Sequence, residues 1–304
     1  MLLITSCSSK KLVTTPLQLH ADSIYARTLD EYAQQWVARV RAEKSTFLAS
    51  QMYAGQGIKA AQEAAMVHEA DLFIVSAGLS VVSPTKKIPS YNLTVGSEGP
   101  NPLGQTIEDA TPVDWWQALN RAFNHPSPLA RLIRKYDSRV LIALPDTYLK
   151  MVGKELSGVS AVDRKKVRII TSSKTVLDAN LADIAIRYDQ RFNRVLDAPH
   201  GANASFVQRA LLHFSILLAE NPRISALASQ QSLVDQVLER STATKSTIRK
   251  KITDDALRVV MNSLMKEKII SKTRLLEKIR HSKNLACEQN RFNRLYDEIL
   301  PVRK

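Results

Sequence analysis

The run DLFIVS, residues 71–76, is apolar without polar alternation, the pattern of a strand covered on both faces. Three further runs share it: LLIT from Leu2 to Thr5, RVLIAL from Arg139 to Leu144, and VRIIT from Val167 to Thr171. Helical stretches stand between and after them, at Asp30 to Glu43, the Ala-rich Gly57 to Glu69, from Pro112, after Thr147, and Ser205 to Glu220. Strands alternating with helices predict an α/β domain over residues 1–224, with a mainly parallel central sheet and helices on both faces. In such sheets ligands bind beyond the carboxyl ends of the strands, so the chemistry is sought just after each run.

Composition narrows the function classes. With 304 residues, 44% hydrophobic and 24% charged, the chain is that of a folded protein rather than a disordered one. No run approaches the ~20 apolar residues that span a bilayer, and the start MLLITSCSSKK lacks the basic and long apolar regions of a signal peptide. A cytoplasmic location without a membrane partner is expected. Cys7 and Cys287 lie near opposite ends and the six His show no ligand spacing, so neither a disulfide, a metal nor a cofactor is expected. The net charge is +14, and residues 241–304 hold +9 of it, with 16 Lys and Arg against 7 Asp and Glu. That concentration, more than its size, points to a polyanionic partner, a nucleic acid, against the alternative of a solvated helical surface; the partner expected is double-stranded DNA.

Residues 225–304 read as helices only. Ala256, Val259, Val260, Leu264 and Met265 predict one buried face; Ser271 caps a second helix over Lys272 to Arg280; a third, Ala286 to Leu300, buries Phe292, Leu295, Tyr296 and Ile299. This is the plan of a helix-turn-helix, whose last helix would show Gln289, Asn290, Asn293 and Arg294 to phosphates and base edges. A bundle that merely packs on the first domain is the alternative.

Four segments can carry chemistry. After the first strand, Ser6-Cys7-Ser8-Ser9-Lys10-Lys11 offers backbone N–H groups, hydroxyls and lysines to a phosphate, with Ser6, Ser8 and Lys10 as contacts and Cys7 as small packing. After the second come Ser76, Gly78 and, past Pro84 and Pro89, Tyr91-Asn92: a stacking aromatic and an amide edge for a flat base, or an ordered loop with a buried tyrosine. Asp146, directly after RVLIALP, and Asp189, within Arg187-Tyr188-Asp189-Gln190-Arg191, are candidate carboxylates for a cationic transition state. Asp146 can equally cap a helix and Asp189 can pair with Arg187 or Arg191. Pro199 to Ser205 lead into the long helix, where Asn203 and Ser205 either meet an anion or only cap the helix, and Arg191 beside Asp189 is a further anion contact. Trp115-Trp116 reads as packing.

Taken in order, LLITSCSSKK, Met52-Tyr53-Ala54-Gly55, IVSAGLSVVSPTKKIPSYNLT, ALPDTYL, RYDQR and HGANASFVQRALL resemble a group of bacterial and phage-associated proteins similar to the uracil-DNA-glycosylase-like domain of archaeosine synthase. The ending ISKTRLLEKIRHSKNLACEQNRFNRLYDEI resembles the C-terminal helices of such proteins. One member type is a phage-defence DNA glycosylase that removes a glucosylated, hydroxymethylated cytosine. The resemblance implies base excision by base flipping from modified phage DNA, with Tyr53, Tyr91, Ser76 and Gly78 around the base and Asp146, Asp189 or Asn92 catalytic. Asn92 stands where that group usually has aspartate, which leaves the carboxylate to Asp146 or Asp189 or gives an amide its role. Two other readings remain: a non-catalytic DNA-binding protein, and a transglycosylase or nucleoside-processing enzyme acting on RNA.

Overall fold

Five strands with buried, near-continuous apolar sequence set the architecture: β1 (Leu2–Ser6), β3 (Asp71–Ser76), β6 (Val140–Ala143), β7 (Val167–Ser172) and β8 (Ala185–Tyr188). The computed structural model describes residues 1–45, 47–95, 111–241, 249–267 and 271–299. The remaining elements in chain order are α1 (Leu29–Ala42), β2 (Phe47–Leu48), α2 (Ala49–Met52), α3 (Gln56–Val67), β4 (Ser80–Val82), β5 (Lys87–Ile88), α4 (Pro112–Ala122), α5 (Pro128–Arg134), α6 (Asp146–Ser157), α7 (Ala161–Arg164), α8 (Ala179–Ala182), α9 (Phe206–Glu220), α10 (Leu227–Arg240), α11 (Asp254–Glu267), α12 (Lys272–Glu277) and α13 (Gln289–Ile299).

The main sheet runs β4-β3-β1-β6-β7-β8, parallel throughout except for β4, which turns back antiparallel on β3. The five parallel strands thus follow the doubly wound order 2-1-3-4-5, which reverses direction between β1 and β6. Leu2, Ile4, Val140, Ile142 and Ile169 join the core shared with α1, α4 and α6, whereas Leu3, Leu141, Ala143, Ile170 and Ile186 join the one under α3, α9 and α10. Period-two alternation in buried strands therefore feeds two cores at once, as the sequence pattern predicts. Small residues of α3, namely Ala60, Ala61, Ala64 and Ala65, face the second core. Capping fixes where helices begin: Thr28 accepts the Glu31 N–H at α1, and Thr111 accepts the Asp114 N–H ahead of Pro112 at α4.

Two compact units divide the chain, Met1–Thr242 and Ala243–Lys304. The first is longer than residues 1–224, because α10 buries Val234 and Leu238 in the second core of the sheet. The stretch from Gly78 to Thr111 contains β4 and β5, and its residues 96–110 lie outside the described ones. In the second unit Leu257, Met261, Leu264, Leu275, Ile279, Phe292 and Leu295 form a core of their own. Of the face expected on α11, Leu264 is inside and Val260 and Met265 flank the core, whereas Ala256 and Val259 face outward and Leu257 and Met261 are buried in their place. Ser271 caps α12 as expected, and that helix ends in a π turn, Lys278–Ser282. No helix among the described residues is long and apolar enough to cross a membrane.

Candidate functional site

Where the winding reverses, the loops after β1 and β6 part and leave a pocket of about 380 Å³. It is lined by Ser6 to Lys10 of the first loop, Gly55 to Ile58 at the start of α3, Pro145 and Tyr148 at the start of α6, and Ala204, Ser205 and Gln208 at the start of α9. Three helices of 12, 12 and 15 residues therefore begin at its rim, none with a side-chain cap on its first N–H groups. Each carries about half a positive charge at that end, and none of the described lining residues is a carboxylate, so the pocket favours an anion. Gly55, at φ +120°, lets the chain turn into α3 in a conformation a side chain would strain.

The first loop is tied down from inside. Ser8 Oγ donates to the Ala54 carbonyl at 2.6 Å and accepts the Lys10 N–H at 3.0 Å, which fixes the loop against the segment before α3. Ser6 Oγ accepts from Gln208 Nε2 at 3.1 Å, joining β1 to α9. Gln208 is buried, and its Oε1 has no partner among the described residues. Of the residues expected to contact phosphate, Ser6, Ser8, Lys10 and Ser205 are together here.

Beneath the pocket lies a cluster of hydroxyls around a thiol. Tyr91 Oη is 2.7 Å from Ser76 Oγ and 3.0 Å from Tyr53 Oη, and donates to Cys7 Sγ at 3.4 Å; Tyr148 Oη is 3.0 Å from the same sulfur. Burial raises the phenol pKa of Tyr53, Tyr91 and Tyr148, so all three are neutral donors at pH 7. The Lys11 ammonium sits 4.2 Å from the Tyr91 ring centre, and burial lowers its pKa. Tyr53, Tyr91 and Ser76 thus meet as the sequence suggests, but as a buried brace: Tyr91 is 1% exposed and edge-on to Trp36 and Tyr53. The stacking role expected of Tyr91 is not available to it, and the aromatic among the described lining residues is the half-buried Tyr148.

The turn after β3 explains Gly78. A Cβ there would stand 2.8 Å from the Tyr91 ring and 3.0 Å from Trp36. Trp36 Nε1 donates to the Gly78 carbonyl and Trp115 Nε1 to that of Ala77, each at 2.7 Å, while Ser76 Oγ accepts the N–H groups of Gly78 and Leu79. Trp116 packs too, donating to Glu155 at 2.6 Å.

The carboxylates separate. Asp146, the first residue of α6, is exposed, accepts from Thr175 Oγ1 at 2.7 Å, and lines a second crevice of about 290 Å³ with Ser172, Gln190 and Asn203. Both spaces share Pro145 and Ala204, so Asp146 borders the pocket. Asp189 accepts the Arg191 N–H and side chain between 2.8 and 3.1 Å and caps the turn Gln190–Arg194; this hydrogen bonding holds its pKa below the usual range. Pairing, the alternative raised from its sequence, occupies Asp189 and also engages Arg191, expected to hold phosphate. Asn92 ties its backbone to Leu19 and Ala21 and is not among the lining residues of either space. Compared with models of known families and with curated proteins, the sequence matches none of them.

On the second unit, Gln289 and Asn290 are exposed on α13 as expected. Arg294 is not free for phosphate, since it shares Asp254 with Arg291, both at 2.6 Å. Cys7 and Tyr148, 141 residues apart, were not legible as partners; their meeting depends on β1 and β6 being neighbours.

Proposed function

We propose that the chain is a DNA N-glycosylase, built on a uracil-DNA-glycosylase-like α/β unit followed by a helix-turn-helix, that excises a modified base and leaves an abasic site. The observation that carries this reading is the switch-point pocket, with three helix N-termini for phosphate and one exposed carboxylate, Asp146, at its border. A nucleotide turned out of the stack sets its phosphates at the helix N-termini and its base against Tyr148. Bond breaking between C1′ and the base nitrogen sends the electron pair to the base, which takes a proton from solvent. Asp146 stabilises the positive charge at C1′ and accepts the proton of the water whose oxygen adds there. The adjoining crevice gives room beyond a pyrimidine for the substituent of a glucosylated, hydroxymethylated cytosine, which supports phage DNA as the target. Basic helices of the second unit supply the duplex contact.

Incubation with DNA carrying that base, with unmodified DNA and with RNA of the same sequence tests the reading. Free modified base and alkali-labile sites are expected from the first alone. Tight binding with every base retained would leave a non-catalytic DNA-binding protein, and base exchange on RNA would make it a transglycosylase.

A further inference from the structure

A cavity of about 690 Å³ lies away from the pocket, along the β4 edge of the sheet. Arg41, Lys86, Lys87, His125, Arg131 and Lys135 line it, over a floor that includes Phe123, Ile88 and Pro89. Arg41, Lys86, Lys87, Arg131 and Lys135 are exposed, and none makes an ion pair among the described residues. Glu43, the one carboxylate among the described lining residues, accepts instead from Gln18 Nε2 at 2.6 Å. Residues 1–240 carry a net +5, from 27 Lys and Arg against 22 Asp and Glu. Five cations against Glu43 give the described lining residues of this concavity a net +4. Arg41 lies over the Phe123 ring at 5.9 Å and donates to the Phe123 carbonyl, which leaves its charge without a carboxylate partner among the described residues. Lysines on a convex surface are ordinary; cations without carboxylate partners lining a groove are the arrangement that follows a nucleic-acid backbone.

One buried segment of chain, with Ser90, Tyr91 and Leu93 inside, joins the residues that line the groove to one that lines the pocket. Lys86 to Pro89 form the groove wall, Tyr91 joins the hydroxyl cluster, and Thr94 lines the pocket. Four residues lie between Pro89 and Thr94, so these two lining residues are at most ~18 Å apart. At about 3.4 Å per nucleotide that is roughly five nucleotides. We infer that this groove holds the phosphodiester backbone of a single nucleic-acid strand flanking the nucleotide in the switch-point pocket. The direction of that strand rests on the glycosylase reading; the binding itself does not.

Anisotropy of a fluorescein-labelled 12-mer of thymidylate, titrated with the full chain from 50 to 200 mM salt, tests it. In Lys86→Gln/Lys87→Gln/Arg131→Gln each phosphate left without its cation lowers the log–log slope by about 0.7, so the slope falls by about 2 and affinity at low salt drops at least tenfold. Arg41→Gln/Lys135→Gln, with different side chains removed, lowers the slope by about 1.4. All five positions are exposed, so both variants melt with the parent. An unchanged slope in both variants overturns the inference, as does lost binding of a labelled polyglutamate with thymidylate binding intact. Base release is scored separately: a fallen slope in a chain that releases no base leaves the groove standing and removes the glycosylase reading. Undiminished release with an unchanged slope does the reverse.

Discussion

Gly78 shows how one residue ties the sheet to the site. Its missing side chain lets Tyr91 and Trp36 close on the turn, and the bulk of an alanine has nowhere to go. Gly78→Ala is expected to cost about 1–3 kcal/mol in urea unfolding, the range of an overpacked core. Tyr91→Phe removes the hydroxyl that Ser76 and Tyr53 share, leaving buried polar groups unpaired, and should cost about 1–3 kcal/mol. Asp189→Asn, by contrast, weakens a half-exposed pair and cap, worth no more than about 1 kcal/mol, and is expected to leave the proposed base release unchanged. His213 gives a pH signature. Buried beside Tyr188, with its Nδ1 2.9 Å from the phenol oxygen, it has its pKa pushed down to about 4 by desolvation. The unfolded imidazole, near 6.5, takes up a proton that the buried one does not, so stability is full above pH 6.5 and falls as the pH drops from 6.5 toward 4. Between pH 6.5 and 5 the loss attributable to this residue is about 2 kcal/mol, and it should be absent from the pH dependence of His213→Gln.

Elements were legible in proportion to how fully they are buried. The runs at Leu2, Asp71, Arg139 and Val167 are all strands, because a parallel strand covered on both faces must be apolar throughout. The edge strand β8 escaped: AIRY contains Arg187 and continues into the polar Asp189-Gln190-Arg191. Strands β4 and β5, three and two residues long, are too short to show a period. Within the site, Ser6, Ser8, Lys10 and Ser205 were recoverable because small and basic residues after a strand or before a helix have a physical reason to be there. Cys7, Tyr148 and Gln208 were not, since nothing local distinguishes a packed thiol or a helix glutamine from one that faces a ligand. Tyr91 was half legible. Its segment does reach the site, but periodicity says nothing of which way a loop side chain turns.

At the scale of the whole molecule the two units have separate cores; among the described residues, 22 are buried under α3, α9 and α10 on one side of the sheet in the first and 10 in the second. The first unit should therefore fold without residues 243–304, and differential scanning calorimetry of residues 1–242 should show one cooperative transition. Removing the second unit takes away +9 of the +14 charge carried by the chain, to within the residues at the boundary. Duplex binding should weaken and its log–log salt slope flatten by about 0.9 for every phosphate that the missing helices had neutralised. An unchanged slope would put the duplex-binding face on the first unit.

The most direct measurement is the single-turnover rate of base release by Asp146→Asn, set beside its melting temperature and DNA affinity. An oxocarbenium-like centre gains from a fixed negative charge, and an amide keeps the shape while deleting that charge. The account predicts a rate lower by about 10²–10³-fold with melting and binding near those of the parent. A variant that releases base at the parental rate would contradict it and take the reaction away from the crevice beside β6.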